Sequence, residues 1–455
     1  MAENYVIADP IYGLIDFTST QKELIKPIID HPYFQRLRHI KQLGLADFVF
    51  PGAVHTRFNH CIGTAYIAKR LAINVEIKEE NLNKVIISAL LHDIGHGPFS
   101  HAFEKLVSGK NFKVDHEKWT IEFLKGFKKL NIIKSDYNID EISSFIEHNR
   151  EANFLEADII SSQLDADRLD YLLRDSYFCG VKYGQYDINW LIRCVQKITQ
   201  SKNVIRLGIN KKGVAAIEHF LMARRLMTKN IYHHLKIKIA ENILGKFLHE
   251  SMEFCENTKL QKYSFPKNII EFLSLTKKLH SSKLSESDFI GKAFKSYSTL
   301  TDFDIWNMIR TIAMSSSLKE KKICQLAERL FYRNLPKCYI INNENYEVIS
   351  SSIKEEQKKL GAANAWKIGI ENISVKTYKT DKDPILVHEN DKIHGVDIHS
   401  KILSSLHNSE ENYSYIWIDK EIYEKKSISK LLNNFRKKGL IKNESSADAQ
   451  GIAAA

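Results

Sequence analysis

The chain has 455 residues, of which 44% are hydrophobic and 10% aromatic, so it can bury a sizeable core and is not a disordered protein. Its apolar runs, such as Val85 to Leu91, are far shorter than the roughly 20 residues of a membrane span, and its six scattered cysteines favour reduced thiols over a disulfide framework or a zinc finger. The formal net charge of +11 favours polyanionic partners such as nucleotides or single-stranded nucleic acid. We therefore expect a cytoplasmic protein without a membrane segment.

The first 250 residues are predicted to form one helical unit. From Asn81 to His92 apolar residues recur at helical spacing, and the pattern stops at Gly95. Other stretches in which Gly and Pro are absent from the interior or lie near an end predict helices at Ile28 to Leu43, Cys61 to Ala72, Asp115 to Phe127, Ser161 to Phe178, Asp187 to Ile198 and Gly213 to Phe247.

The residue pattern changes after about residue 340, where short runs of β-branched and aromatic residues alternate with polar segments. These runs are Ile373 to Tyr378, Ile385 to His388 and Tyr413 to Ile418. The fold class is therefore predicted as mainly α with a smaller α+β C-terminal lobe. We expect a helical core domain over residues 1–250, a helical extension over 251–340, the α+β lobe over 341–443 and a disordered tail over 444–455.

A histidine-rich run follows the helix that ends near Gly95. It reads His-Asp-Ile-Gly-His-Gly-Pro-Phe-Ser-His and places His92, Asp93, His96 and His101 within ten positions. Imidazole and carboxylate side chains suit a divalent metal, and the glycines allow the tight turns that would bring them together. The run predicts a metal centre with proton carriers beside it.

Two other segments complete a set of four metal-ligand candidates. Upstream, the run from Arg57 to Gly63 contains His60 just before an apolar helix; downstream, the run from Leu164 to Tyr171 contains Asp167. Together with His92 and Asp93 they form a His, His-Asp, Asp quartet. Helical spacing also places four polar residues near one face, Asp167, Tyr171, Arg174 and Asp175, which would put a metal ligand beside groups that bind phosphate and sugar.

With these motifs the chain resembles the HD superfamily of metal-dependent phosphohydrolases. More closely, it resembles the dNTP triphosphohydrolases related to the vertebrate protein that combines a sterile-alpha-motif with an HD domain. Besides the quartet, the resemblance rests on Asp9 to Gly13, Phe34 to Gly44, Phe50 to Ala53, Asp165 to Tyr171, Leu300 to Asp302 and Tyr332 to Leu335. It is strong to about residue 245 and thin beyond, and it implies that residues 1–250 form the HD-domain core.

The resemblance implies roles for individual residues. His60, His92, Asp93 and Asp167 would hold a divalent metal, of which Mg, Mn, Fe and Zn are all candidates, and His96, His101 and His116 would join Asp93 as catalytic residues. His101 is the candidate that protonates the departing 5′ oxygen. Arg57, Arg168 and Arg224 would contact phosphates, although Arg168 stands where the relatives have a lysine. Gln42, Leu43, Tyr171, Asp175 and Tyr232 would surround the sugar.

The resemblance also implies a regulatory site and an oligomer. Asp30, Gln35 and Arg38 match family residues that recognise an activating nucleotide, GTP or a dNTP, but Tyr5 replaces the lysine that accompanies them. One phosphate contact would be missing, so we expect weaker or altered activation. The family leads us to expect a homodimer or homotetramer.

The predicted activity is hydrolysis of a dNTP to the deoxynucleoside and tripolyphosphate. Three alternatives stay open from the sequence. One is an HD-type phosphodiesterase or nuclease that acts on nucleic acid or a signalling nucleotide, because it would need the same ligands in a more open groove. The others are a protein that binds nucleotides or nucleic acid without catalysis and a helical scaffold whose histidines are satisfied core groups.

Overall fold

The computed structural model describes residues 3–109, 112–147, 154–201, 204–255, 265–318, 321–341, 343–376, 378, 384–390, 392–406 and 410–441. Helices account for most of these residues. In chain order they are α1 Ser19–Asp30, α2 Pro32–Gln35, α3 Arg57–Asn74, α4 Glu79–Leu91, α5 His101–Val107, α6 His116–Lys129, α7 Ile139–Ile146, α8 Phe154–Ile160, α9 Ala166–Phe178, α10 Ile188–Cys194, α11 Val214–Met227, α12 Leu235–Cys255, α13 Lys267–His280, α14 Glu286–Tyr297, α15 Asp302–Ala313, α16 Lys322–Phe331, α17 Tyr346–Leu360, α18 Lys401–Leu406, α19 Lys420–Tyr423 and α20 Lys426–Lys437.

Within the described ranges the strands form three small sheets. The strands are β1 Tyr5–Asp9, β2 Gly13–Phe17, β3 Val195–Ser201, β4 Val204–Asn210, β5 Lys337–Ile341, β6 Ile368–Lys376, β7 Leu386–Glu389, β8 Lys392–Gly395 and β9 Glu410–Ile418. β1 and β2 pair as a hairpin, and β5, β9 and β6 form an antiparallel sheet in that order. In the remaining sheet, β3-β4-β7-β8, strands β4 and β7 are parallel, with Gly208 opposite Leu386. The C-terminal half of the chain thus extends a sheet that begins in the first half.

Two hydrophobic cores hold these elements. The large core runs through the helices and contains buried residues from Ile15 to Trp417. The small core lies between the β5-β9-β6 sheet and helices α17 and α20, where Ile353, Ile416 and Phe435 are buried. The predicted fold class, mainly α with a smaller α+β lobe, is confirmed. Every helix in the described ranges is too short or too polar to act as a membrane span.

The predicted helix from Ile28 to Leu43 was wrong. α1 ends at Asp30, the short α2 follows, residues Arg36–His39 form a 3-10 turn, and Ile40 is extended. The break has a local cause, because Pro32 disfavours a helical conformation at His31. The His31 backbone is extended, and its ring nitrogen accepts a hydrogen bond from the Tyr33 amide at 3.2 Å, which starts the new turn.

Three other predicted helices have different bounds. The segment from Asp187 to Ile198 is helical only to Cys194, since its β-branched end pairs with β4 as strand β3. Of Ser161 to Phe178, only α9 is helical, and Asp165 caps it by accepting the Arg168 amide. The long helix from Gly213 to Phe247 is two helices joined by a π-helical turn, Thr228–Tyr232. The three predicted C-terminal strands correspond to β6, β7 and β9, whereas the predicted tail lies outside the described residues.

Candidate active site

The Nε2 atoms of His60 and His92 both face the carboxylate of Asp167. His60 lies in the first turn of α3, which Thr56 and Asn59 start with a capping box, and His92 directly follows α4. The His60 Nδ1 atom lies 2.8 Å from a carboxylate oxygen of Asp170, and the His92 Nδ1 atom lies 2.8 Å from the Ala89 carbonyl oxygen. Each acceptor holds a proton on Nδ1, so Nε2 is the atom that each ring would offer to a metal.

Two carboxylates face these Nε2 atoms. One oxygen of Asp167 lies 3.0 Å from His60 Nε2 and 3.5 Å from His92 Nε2, and the carboxylate of Asp93 lies 3.7 and 3.5 Å from the same two atoms. Both Nε2 atoms are buried, and neither makes a hydrogen bond of normal geometry in the described part of the chain. His60, His92 and Asp93 therefore form a cluster that could hold a metal ion.

The charges around this cluster favour ionised carboxylates. Burial opposes ionisation of Asp93, but the Arg57 guanidinium and the neighbouring histidines outweigh it and hold the pKa of Asp93 well below its usual range. Burial also opposes ionisation of Asp167, but its contacts with His60 and His92 outweigh burial and lower the pKa of Asp167. Carboxylate oxygens together with imidazole Nε2 atoms are a donor set that suits a borderline or hard divalent cation.

A buried network orients His60 from behind. The Asp170 carboxylate faces the His60 ring and also accepts from Arg174 Nε at 2.9 Å and Nη2 at 2.8 Å, and from the Tyr12 hydroxyl at 2.9 Å. Arg174, which is fully buried, donates through Nη1 to Asp9 at 2.8 Å. Burial raises the pKa of Asp170, but Arg174 and His60 outweigh it and bring the value to about 2.

This network was missed in the sequence analysis. Arg174 was predicted to share the face of Asp167 that carries substrate-binding groups, and that is wrong, because its guanidinium is bound between the carboxylates of Asp9 and Asp170. A signal was present, since Asp170 follows Asp167 by one helical turn and Arg174 follows Asp170 by another. The network also explains the small residue at Gly63, where an added Cβ would lie 2.0 Å from the Asp170 carboxylate.

Arg57 connects the cluster to the loop after it. Its guanidinium forms an ion pair with Asp93 and donates to the Ser100 hydroxyl from Nε at 3.0 Å and from Nη2 at 2.7 Å. Phe99 and Ser100 have positive φ values of 51° and 49°, which non-glycine residues rarely adopt. The Asp302 carboxylate supports this loop by accepting the Phe99 amide at 2.8 Å and the Lys41 amide at 2.9 Å.

Two histidines stack beside Asp93. The rings of His96 and His116 are parallel, with centroids 3.9 Å apart, and His96 Nε2 lies 3.3 Å from Asp93. Glu104, which the sequence analysis did not single out, accepts from His116 Nδ1 at 2.7 Å. Burial lowers the pKa of His116, but Glu104 outweighs it and the net shift is upward, whereas burial and Arg57 hold the pKa of His96 well below its usual range. His101 begins α5, and its side chain lies outside the described residues.

A cavity of about 390 Å³ opens next to the cluster. Six of the residues predicted to bind substrate line it, namely Gln42, Leu43, Arg57, Tyr171, Asp175 and Tyr232. Asp175 accepts from the Tyr232 hydroxyl at 2.8 Å and pairs with His55 at 2.7 Å, and the Tyr171 and Tyr232 rings meet edge to face at 6.0 Å. The Gln42 side-chain oxygen is buried and has no hydrogen-bond partner in the described ranges. A ligand in this cavity would meet both a rigid aromatic wall and unsatisfied polar atoms.

Arg168 and Arg224 do not line this cavity, but both lie close to Tyr171. Burial raises the pKa of the Tyr171 hydroxyl, and the charges of the two arginines oppose that shift. Arg168 is bound to Asp165 and to the Ser162 carbonyl. Each arginine also has one buried atom without a hydrogen-bond partner among the described residues, Nε in Arg168 and Nη1 in Arg224. Both guanidinium groups therefore have a donor left for an anion.

The three residues predicted for a regulatory nucleotide lie together, away from the cavity lining. Arg38 Nε donates to Gln35 at 2.8 Å, and the Arg38 guanidinium lies 3.5 Å from the centroid of the Phe58 ring. Asp30 forms an exposed ion pair with Lys26 at 2.6 Å. Burial, with the charge of Asp30, raises the pKa of Tyr5, so this tyrosine also belongs to the group.

Comparisons with known proteins agree with this geometry. Residues 57–175 match the HD domain family, and residues 187–278 match the HD associated region. The chain is 33% identical over 301 residues to the uncharacterized protein YwfO of Bacillus subtilis, covering 64% of each protein. It is 26% identical over 405 residues to human deoxynucleoside triphosphate triphosphohydrolase SAMHD1, covering 78% of this chain and 59% of that protein.

Solved structures are similar over nearly the whole chain. A phosphohydrolase from Bacteroides thetaiotaomicron is 27% identical with a TM-score of 0.75, and the match covers 92% of this chain and all of that one. The chain spans about 55 to 66% of the length of the first curated relatives that it matches. The HD domain is metal-dependent, and the matched residues include the whole His/Asp cluster. The chain therefore contains an HD domain, residues 57–175, followed by an HD associated region.

Proposed function

We propose that the protein is a metal-dependent deoxynucleoside triphosphate triphosphohydrolase that converts a dNTP and water to the deoxynucleoside and tripolyphosphate. The observation that carries the proposal is that the His/Asp cluster lies beside a cavity walled by Tyr171, Asp175 and Tyr232. The His60 ring meets the Tyr171 ring edge to face at 6.4 Å, and Arg57, which pairs with Asp93, lines the cavity. Its volume of about 390 Å³ suits one small molecule. Similarity to SAMHD1, whose name states this activity, supports the same substrate class.

His60, His92, Asp93 and Asp167 would hold the metal. The fit rests on the two buried Nε2 atoms that face the carboxylates without a normal hydrogen bond. When bound, a divalent cation would lower the pKa of water and offset charge on phosphoryl oxygens. Asp170 would keep His60 in the tautomer that presents Nε2, and the Ala89 carbonyl would do so for His92.

The arginines would hold the triphosphate. Arg57 lies between the cluster and the cavity, where its charge would act on phosphoryl oxygens close to the bond that breaks. Arg224, with an unused buried Nη1, would bind oxygens farther along the chain of phosphates, and Arg168 would add positive charge while bound to Asp165. A guanidinium can bind two oxygens side by side, which suits a triphosphate.

Proton transfer to the departing 5′ oxygen would come from the histidines after α4. An alkoxide is a poor leaving group at neutral pH, so a group with a pKa near the working pH is needed. We assign this role to His101. Glu104 raises the pKa of His116, whereas burial and Arg57 lower that of His96, so His116 is the more readily protonated of the stacked pair.

The cavity would select deoxyribose over ribose. Gln42 and Asp175 would bind the 3′-hydroxyl, and the Tyr232 ring would lie against the 2′ face of the sugar. The hydrogen bond from Tyr232 to Asp175 holds that ring in position. A 2′-hydroxyl would meet a ring that offers no partner, and an unpaired buried hydroxyl costs about 1 to 3 kcal/mol, or about ten- to hundredfold in specificity.

One experiment tests class, bond and metal together. The protein is incubated with each dNTP, each NTP and single-stranded DNA in Mg²⁺ or Mn²⁺, and the products are separated by chromatography. We expect deoxynucleoside and tripolyphosphate from dNTPs only. Asp167→Ala should abolish this activity, whereas Asp136→Ala, which removes an exposed carboxylate after α6, should not. Nucleoside monophosphates or cleaved DNA would instead favour the phosphodiesterase or nuclease alternative.

A regulatory nucleotide is part of the proposal. Asp30 would recognise a guanine edge, and Arg38, stacked on Phe58, would bind phosphate. The assembly is proposed to be a homodimer or homotetramer. Light scattering and rates measured with and without GTP test both points. If Arg38→Ala leaves the GTP response unchanged, or if no second nucleotide alters the rate, the regulatory site is wrong.

A further inference from the structure

One part of the cavity lining has no role in the proposed reaction. Helix α12 contributes Ile237, Lys238 and Glu241, and His233 precedes the helix. The spacing of these α12 residues, three and four positions apart, places them on one side of the helix. The phosphates are assigned to the arginines and the metal cluster, and the sugar to Tyr171, Asp175 and Tyr232. The part of a dNTP left for the α12 side is the base.

Lys238 and Glu241 form an ion pair that could change partners. The Lys238 Nζ atom lies 2.9 Å from a Glu241 carboxylate oxygen, and each side chain is 24% exposed. An ion pair that water still reaches contributes little stability, so exchanging part of it for a ligand costs little. Together the pair offers several donors on the ammonium and two acceptor oxygens on the carboxylate.

This set of groups is complementary to one base more than to the others. The Watson-Crick edge of guanine has an acceptor at O6 and donors at N1 and N2. Lys238 could donate to O6 while the two oxygens of Glu241 accept from N1 and N2, which makes three hydrogen bonds. Adenine, cytosine and thymine could each make two with the same pair. His233 adds no charge to the edge at neutral pH, because burial lowers its pKa to about 4.

We propose that Glu241 and Lys238 read the base and that the cavity prefers guanine. The inference rests on the proposed dNTP hydrolysis and names its preferred substrate. Ile237 and Leu43, which line the same cavity, would pack on the flat faces of the purine. When the cavity is empty, Lys238 and Glu241 pair with each other, so neither charge is left without a partner.

A comparison of dGTP with dITP tests the Glu241 contact. The two nucleotides differ only in the amino group at C2, which hypoxanthine lacks. In the wild type we expect kcat/KM for dGTP to exceed that for dITP by about tenfold, the effect of one hydrogen bond to a charged acceptor. Glu241→Gln should bring the ratio close to one. Because the comparison is a ratio within one variant, a change in the folded fraction cancels.

Control variants separate this contact from a general effect on α12. Glu253→Gln makes the same change on the same helix, in a carboxylate that pairs with Lys277 at 2.8 Å on the surface, and should leave the ratio at its wild-type value. Lys238→Met should lower kcat/KM for dGTP and dITP together, because both carry the O6 acceptor. A wild-type ratio near one, or the same ratio in Glu241→Gln as in the wild type, overturns the inference while dNTP hydrolysis stands.

Failure of the proposed function gives a different result. If no dNTP is cleaved, that function is wrong, and equilibrium dialysis with deoxyguanosine and deoxyinosine then measures the contact directly. Tighter binding of deoxyguanosine that disappears in Glu241→Gln supports the base-reading pair. Equal binding of the two nucleosides overturns it.

Discussion

Gly63→Ala should disrupt the metal cluster without changing any of its ligands. A Cβ at this position would lie 2.0 Å from Asp170 Oδ1 and 2.2 Å from Arg174 Nη2, while ordinary contact begins at 3.4 Å. Neither atom can move away freely, because both belong to fully buried side chains joined by two hydrogen bonds of 2.8 and 2.9 Å. A shift of more than 1 Å would break the hydrogen bond of 2.8 Å between Asp170 and His60.

The expected cost can be estimated from the same contacts. An overpacked methyl group costs about 1 to 3 kcal/mol, and loss of a buried hydrogen bond to a charged group costs about 1.5 to 3 kcal/mol. Alanine in a helix regains about 0.5 to 1 kcal/mol relative to glycine. The net loss should be about 1.5 to 5.5 kcal/mol in the free energy of unfolding. Release of the His60 ring should weaken metal binding by about 10- to 100-fold.

The assay pairs metal content, measured by plasma mass spectrometry at several free-metal concentrations, with thermal unfolding. Gly245→Ala is the matched control, since it is also a glycine in a helix and its added Cβ meets nothing within 4 Å. It should keep the metal and unfold at the same or a slightly higher temperature. If Gly63→Ala binds metal with wild-type affinity and is as stable as Gly245→Ala, the buried network does not position His60.

The other predictions concern the arginine behind Tyr171, the sugar gate and the loop support. Arg224→Gln should raise KM for dNTP by about tenfold or more because a charged contact to phosphate is lost, whereas the exposed Arg193→Gln should not; an unchanged KM would contradict the assignment. In Tyr232→Ala the ratio of kcat/KM for dNTP to kcat/KM for NTP should fall by about tenfold, whereas Tyr232→Phe, which keeps the ring, should retain the wild-type ratio. The same ratio in both variants would show that the ring does not select the sugar. Burial raises the pKa of Asp302 to about 6, above its unfolded value of about 4, so its contribution to stability is fully present below pH 4 and is lost as the pH rises through 6. The free energy of unfolding of Asp302→Asn, measured by urea titration, should therefore decline less steeply between pH 4 and 6 than that of the wild type. Parallel pH profiles of the two proteins would show that Asp302 does not titrate there.

Much of the architecture could be predicted from the sequence, because its signals are local. Helical periodicity predicted the mainly α fold, and β-branched runs predicted three of the strands in the C-terminal lobe. The quartet of His60, His92, Asp93 and Asp167 could be proposed from three short motifs, each beside a helix end. The break at Pro32 was also a local signal, and it was overlooked.

Only the tertiary structure decided which polar groups surround those motifs. Asp9 and Arg174 are 165 residues apart in the chain, and His55 and Asp175 are 120 apart, yet each pair is buried in direct contact. Helical spacing states which residues share a face, but it does not state what lies opposite that face. Helical spacing therefore placed Arg174 on the face predicted to bind phosphate, whereas in the structure it pairs with Asp9 and Asp170 and holds the carboxylate that orients His60. Burial selects such partners, because a charge removed from water must meet an opposite charge, wherever in the sequence that charge is found.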